Sequence, residues 1–162
     1  MSFPAEVPGS EPGVHRFRAD AEQAGPAVFT APAHVVGGGF GLFESAAVPG
    51  RWGAIPHYHR GFSESFWVIS GRLAVMSGTG WQVLGHGDFA HVPVDGVHGF
   101  HAVGDEIARF LILFVPGAPR ERYFRGLAEL LARGASPQEI DEFALTCDQV
   151  NLRDWPHDPI PT

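Results

Sequence analysis

The chain has 162 residues, enough for one domain with a sizeable single core. Its formal net charge is −7 and it has no basic run, which argues against nucleic acid or an anionic membrane surface as a partner. Glycine (21) and proline (14) are abundant, yet 44% of residues are hydrophobic and 13 are phenylalanine, a mixture that fits many short strands joined by tight turns rather than disorder.

Residues 1–25 carry Pro4, Pro8, Gly9, Pro12 and Gly13 among charges and show no periodicity. They read as a loosely ordered arm, with Phe3, Val14 and Phe17 available to dock on a sheet or a second subunit. The opening lacks the basic-then-apolar order of a signal peptide, and no apolar run approaches membrane-spanning length. The single cysteine, Cys147, has no internal disulfide partner and no neighbouring His or Lys to form a thiolate. A soluble, cytoplasmic protein is expected.

Strands are expected from Ala27 onward, then over 40–48, 66–70, 72–77, 81–85, 88–92, 98–103 and 107–115. Such regular spacing, with Gly, Pro and Asp turns between, indicates an all-β sandwich or barrel over 26–117. On strand 107–115 both alternating stripes are apolar apart from Arg109, so that strand is expected to be central. Arg109 itself is expected to be solvated rather than to grip an anionic substrate.

The character changes over 118–148. Tyr123, Phe124, Leu127, Leu130 and Leu131 recur at three and four, predicting an amphipathic helix that Gly134 ends. Ser136-Pro137-Gln138-Glu139 is a capping box with proline at the first helical position, predicting a second helix that presents Ile140, Phe143 and Ala144. Both helices are expected to be structural, packed on the outside of the sandwich or across a dimer partner. Residues 149–162 read as an irregular tail in which His157 is solvated.

The chemistry lies between these regions. His57 and His59 are two residues apart, so on a strand both imidazoles share one face while Tyr58 points to the other. Glu64 follows just past Gly61, which lets the backbone bend back toward the pair. Imidazole nitrogens with one carboxylate suit Fe, Mn, Co, Ni, Cu or Zn and disfavour Mg, Ca and thiolate chemistry. His98, after the turn Pro93-Val94-Asp95-Gly96, is a fourth candidate ligand. His86, His91 and His101 read as strand or turn residues, with His101 the one able to replace His98 if the turn is misregistered. Phe66 and Val68 share the side of Glu64 on a regular strand and are expected to line a substrate pocket.

These two stretches resemble the motifs of the cupin superfamily. The first matches at His57-x-His59, four residues, Glu64, six residues, Gly71; the second at Gly87, Pro93 and His98. Arg51, Asp95 and Ala102 stand where the family usually has Gly, Gly and Asn, and none of these is a ligand position. The resemblance covers roughly residues 35–115. It implies a double-stranded β-helix, or jelly-roll barrel, followed here by two C-terminal helices, with one divalent transition-metal ion on His57, His59, Glu64 and His98. It is similar to the bacterial quercetin 2,3-dioxygenase type. That implies a metal-dependent dioxygenase acting with dioxygen on a small aromatic or enolic, flavonol-like substrate, with Glu64 taking the hydroxyl proton. The same scaffold also serves isomerases or epimerases, polyketide cyclases and non-catalytic small-molecule-binding proteins. Open sheet edges and the arm further suggest a homodimer.

Overall fold

A computed structural model describes residues 13–162. Thirteen regular elements follow in chain order: β1 (Gln23–Ala24), β2 (Ala27–Ala31), β3 (Gly41–Ala47), β4 (Trp52–Tyr58), β5 (Ser63–Ser70), β6 (Leu73–Ser77), β7 (Gly80–Leu84), β8 (Phe89–Val92), β9 (His98–Ala102), β10 (Ala108–Val115), α1 (Arg120–Ala132), α2 (Pro137–Leu145) and β11 (Val150–Asn151). The strands form two antiparallel sheets. One has the order β1-β2-β3-β10-β5-β8, the other β11-β4-β9-β6-β7.

The inner faces follow from the alternation of side chains. On β3, residues Phe43, Ser45 and Ala47 turn inward; on β10, Ala108, Phe110, Ile112 and Phe114 do. Together with Phe66, Val68, Leu73, Val75 and Phe100 they make one core between the sheets. Its centre is aromatic: Phe100 meets Phe66 and Phe110 edge-on, with ring centroids 5.5 and 5.2 Å apart, the offset arrangement that ring quadrupoles favour. β10 lies between β3 and β5, the central position its two apolar stripes predict. Arg109 on its outer stripe pairs with Glu44 at 3.6 Å, so it faces solvent and grips nothing inside.

Element ends differ from the sequence expectation where pairing, not pattern, decides. The first strand begins at Gln23, after a 3-10 turn at Arg18–Asp20, because Gln23 and Ala24 hairpin back onto Val28 and Ala27. β5 starts at Ser63 rather than 66, which puts Glu64 within the strand. In the tail, Val150 and Asn151 pair with Tyr58 and His57 of β4. Beyond them, the Trp155 indole donates to Gly78 O, and Trp81 donates to Asp158 O, pinning the tail to the β6–β7 turn. His157 is exposed, as expected. Of the expected arm, Phe3 lies outside the described residues, while Val14 and Phe17 are exposed. Among the described residues no helix is long and apolar enough to cross a membrane.

Helix α1 is ended by Gly134 in the left-handed region, and α2 opens with the reciprocal Ser136–Glu139 capping box. Two turn residues explain the motif spacing. Gly71, at φ +72°, turns β5 into β6, and a Cβ there would lie 2.6 Å from Ile107 O. Asp95 adopts φ +63°, the conformation that favours glycine, at the position where the resemblance leads one to expect glycine. Its amide donates to His59 O at 2.8 Å, so this strained residue joins the two motif stretches.

Gly71→Ala is therefore expected to lose more than the roughly 1–2 kcal/mol of the left-handed backbone alone. Gly78→Ala, at φ +67° with open space around its Cβ, should lose only that backbone cost. Urea unfolding of both variants checks this, and equal losses would contradict the packing at Gly71.

Candidate metal centre

Two sheets deliver the four side chains. His57 is on β4 and His98 on β9, directly opposite one another in register. Their ring centroids are 4.2 Å apart. Glu64 enters from β5 of the other sheet, and His59 follows the last residue of β4. All four are buried, and one ligand atom from each falls within 4.8 Å of the others. His101 does not join them; it sits behind, against Trp52 and Trp81. Both remaining candidates are exposed: His86 in the β7–β8 turn, bonded to Ile69 O, and His91 on β8 of the other sheet, bonded to Ser65.

Backbone carbonyls set the ring orientation. His57 Nδ1 meets Ile55 O at 2.7 Å, His59 Nδ1 meets Asp148 O at 2.6 Å, and His98 Nδ1 meets Gly96 O at 2.9 Å. A carbonyl only accepts, so each Nδ1 carries the proton and donates. Each neutral ring is left with its Nε2 lone pair facing the cluster. His59 Nε2 and His98 Nε2 then lie 3.0 and 3.1 Å from Glu64 Oε2. Three lone pairs and a carboxylate oxygen at such distances repel unless a positive charge sits among them. Carbonyl-anchored imidazoles are how proteins orient metal ligands, and the separations suit a first-row ion bound at about 2.0–2.2 Å. The donor set fits one such ion.

Burial acts on the titrations. Desolvation, reinforced by the neighbouring His98 and His59, holds His57 well below the ordinary imidazole range. Desolvation likewise lowers His59, against the opposing pull of Glu64. For Glu64, burial pushes upward; without an ion, a proton carried on Nε2 of His59 or His98 would hydrogen-bond and attract the carboxylate strongly enough to outweigh burial and hold it well below its usual value. Neutral rings around an anionic carboxylate are the protonation state that metal binding needs.

A cavity of about 100 Å³ opens beside the cluster. His57 and Glu64 line it, with Ser45, Phe100, Ile112, Phe114 and Leu127 among the walls. Phe66 and Val68, expected as pocket residues, face inward with Glu64 but are fully buried in the core and do not line this cavity. Phe66 instead packs edge-on against His98, with centroids 6.2 Å apart. Seven lining residues come from the C-terminal region and were absent from the sequence reading of the site, among them the polar Arg120, Tyr123 and Gln149. A signal existed, since Arg120 lies three and four residues before Tyr123 and Phe124, on the apolar stripe of α1. Asp148 was also unforeseen. Its carbonyl orients His59, and its carboxylate accepts from the Arg60 and Gly61 amides, holding the bend before Glu64.

Residues 44–114 match the family model described as Cupin domain. No curated protein matches the chain in sequence. Among solved structures, KdgF from Halomonas sp. is similar at 18% identity and TM-score 0.55, over 65% of this chain and 94% of that one. The polyketide cyclase RemF from Streptomyces resistomycificus is similar at 19% identity and TM-score 0.54, over 67% and 82%. A sugar phosphate isomerase from a cupin superfamily of Silicibacter pomeroyi aligns at 25% identity and TM-score 0.48, over 56% of this chain and 59% of that one. The chain thus spans about three fifths of that isomerase's length. The family match and the likenesses to KdgF and RemF show the cupin fold for the two-sheet sandwich, and the cluster is one that could hold a single metal ion.

Acid is expected to weaken the metal-free protein. Above the ordinary imidazole range the His57 and His59 rings, both lowered by burial, are neutral in folded and unfolded states alike. As pH falls below it the unfolded rings protonate first, so stability drops toward the depressed folded values. Urea midpoints of chelator-treated protein should therefore rise from pH 5 to pH 8, with a shallower rise in His57→Gln. In dialysis against zinc at pH 7.5, wild type should retain one ion per chain and His57→Ala/His59→Ala should retain none.

Proposed function

We propose that this chain is a metal-dependent dioxygenase acting on a small enolisable or phenolic substrate. One observation carries the reading: a three-histidine, one-carboxylate cluster borders a mostly apolar cavity. A redox-active first-row ion held by His57, His59, Glu64 and His98 would supply Lewis acidity and dioxygen chemistry. The protein's own part is to bind, orient and keep dry. Phe100, Ile112, Phe114 and Phe124 exclude water and accept a flat apolar substrate body. Glu64 is the one carboxylate among the described lining residues and would take the proton of the substrate's hydroxyl. Its charged form is already favoured, so it is a weak base. A substrate with an acidified enol or phenol suits it better than an ordinary alcohol.

The walls also weigh against a polyol. A sugar's hydroxyls would meet carbon on most sides, and each buried hydroxyl left unpaired costs about 1–3 kcal/mol. Size narrows the substrate further. Cavities that enclose drug-sized ligands run to roughly 300–1,000 Å³. A void of about 100 Å³ suits a small enol or single ring better than an intact flavonol.

We also propose that the protein acts as a homodimer. The motivation is Trp67 and Phe89, cross-strand neighbours on β5 and β8, whose large apolar side chains are exposed at a sheet edge. Light scattering at micromolar concentration should give twice the chain mass, and a monomer mass would defeat this part.

The function is tested by oxygen uptake. Protein loaded with Fe, Ni, Co, Mn or Cu should consume oxygen with at least one small 1,3-dicarbonyl or catechol-like compound. Glu64→Gln should reduce the rate by about 10²–10⁴-fold, the usual range for losing a proton-transfer group. Absence of uptake across metals and substrates would overturn the dioxygenase reading and leave a Lewis-acid enzyme or a binding protein.

A further inference from the structure

The cavity has a second charged group that the proposed chemistry does not use. Arg120, the first residue of α1, is 3% exposed and lines the same void as His57 and Glu64. No carboxylate approaches it within 4.0 Å among the described residues. Its guanidinium lies over the Tyr123 ring at 3.9 Å, with Phe62, Phe114 and Phe124 between 5.2 and 5.7 Å. Nη1 donates to Cys147 O at 3.0 Å and Nη2 to Gln149 Oε1 at 2.8 Å. Nε is buried and has no partner. Each Nη keeps a second proton as well, so the fork retains donors on neighbouring nitrogens.

A buried cation without a counterion is costly, and a buried donor without an acceptor adds to that cost. Aromatic faces offset part of it. A divalent ion at the cluster would make the imbalance larger, because Glu64 is the one carboxylate among the described lining residues and would be spent on that ion. The cavity would then hold two cationic centres among mostly apolar walls, with no further carboxylate among the described lining residues to balance them. Arg109, the alternative anion-gripping residue, is turned outward onto Glu44.

We propose that Arg120 determines the specificity of this cavity, its free donors anchoring the carboxylate of a small organic acid whose second oxygen function lies at the His57 and Glu64 end. The inference rests on the proposed metal site and deepens it by naming the substrate class: a short carboxylic acid with an enolisable carbonyl, small enough for about 100 Å³. Planar guanidinium donors match a carboxylate in both geometry and charge, which a neutral ester or ketone cannot reproduce.

The test uses the full chain loaded with zinc, which is redox-inert, so that binding is read apart from oxygen chemistry. The probes are acetoacetate and its methyl ester, matched in the enolisable part and differing in charge. Calorimetry should show acetoacetate binding at least about tenfold more tightly, and in Arg120→Gln the preference should fall to within about threefold. Should that variant not fold, a second readout needs only the wild type. In ¹⁵N-arginine-labelled protein, the Arg120 Nε–H resonance, assigned through its contacts to the Tyr123 ring, should move on adding acetoacetate and stay in place with the ester. The inference is overturned if acetoacetate fails to bind at millimolar concentration or binds no better than the ester. It is equally overturned if the preference survives Arg120→Gln, or if the Nε–H resonance is unmoved at saturation. Oxygen uptake on neutral enols with an unmoved Arg120 would sink this inference alone. A moved Arg120 without any oxygen uptake would sink the dioxygenase reading alone.

Discussion

Three hydrogen bonds from histidine Nδ1 to backbone carbonyls constrain the rest of the molecule. Each bond is ordinary, but together they turn three Nε2 lone pairs and one carboxylate toward a common point in a dry interior. The carbonyls of Ile55 and Gly96 belong to the β4 and β9 segments that carry His57 and His98 themselves. The third belongs to Asp148, which is 89 residues away from His59 in sequence. The site is therefore complete only when the C-terminal segment is in place. The facing of the two sheets matters as much, since Glu64 comes from the sheet opposite to the histidines. Converging acceptors are self-repelling, so packing around Phe66, Phe62 and Phe114 must hold them together.

This gives the C-terminal helices more than the cladding role that their amphipathic pattern suggests. α1 brings Arg120 and Tyr123 to the cavity, and the turn after α2 brings Asp148 and Gln149. Asp148 sits at φ +54°, a conformation that a non-glycine residue adopts at some cost, and its side chain is fully employed on the Arg60 and Gly61 amides. Gln149 links the parts, accepting from Arg120 and donating to Tyr123 and Asn151. Asn151 in turn pairs with His57 across β11 and β4. Helix, turn and added strand form one polar seam along the side of the cavity, and it connects the cavity to the strand that carries His57.

Much of this site was legible because its signals are local. The spacing of His57, His59 and Glu64 needs only the strand period and a bend, and His98 stands at a fixed distance past a turn. The capping box of α2 and the glycine stop of α1 are likewise local chemistry. What sequence left open depends on contacts between distant segments. Phe66 and Val68 were assigned to the inward face of β5 correctly by alternation, but alternation cannot say where between the sheets the void falls. It lies toward β3, β10 and α1, so these two residues fill core instead. The docking of Val150–Asn151 onto β4 is a pairing of two residues, too short for any pattern. Arg120 hid for a different reason: an arginine at a helix start is usually a solvated one, and only its place on the apolar stripe argues otherwise.

Placing an arginine there has a consequence for selectivity. A cavity of purely apolar walls around a metal would accept any small oxygen ligand, because each differs from the next by little more than a methylene's worth of binding. A buried cation changes the terms of that choice. With an anion opposite it, its charge and free donors are matched inside a low-dielectric space. With a neutral ligand they remain unmatched, and water is excluded from making up the difference. Discrimination between charged and uncharged ligands of one shape then comes from the penalty on the wrong one as much as from attraction to the right one. The ring faces of Phe62, Phe114, Tyr123 and Phe124 fit this role, since they hold the guanidinium in place without neutralising it. A carboxylate in their position would have stabilised the free protein more and left nothing for a substrate to complete.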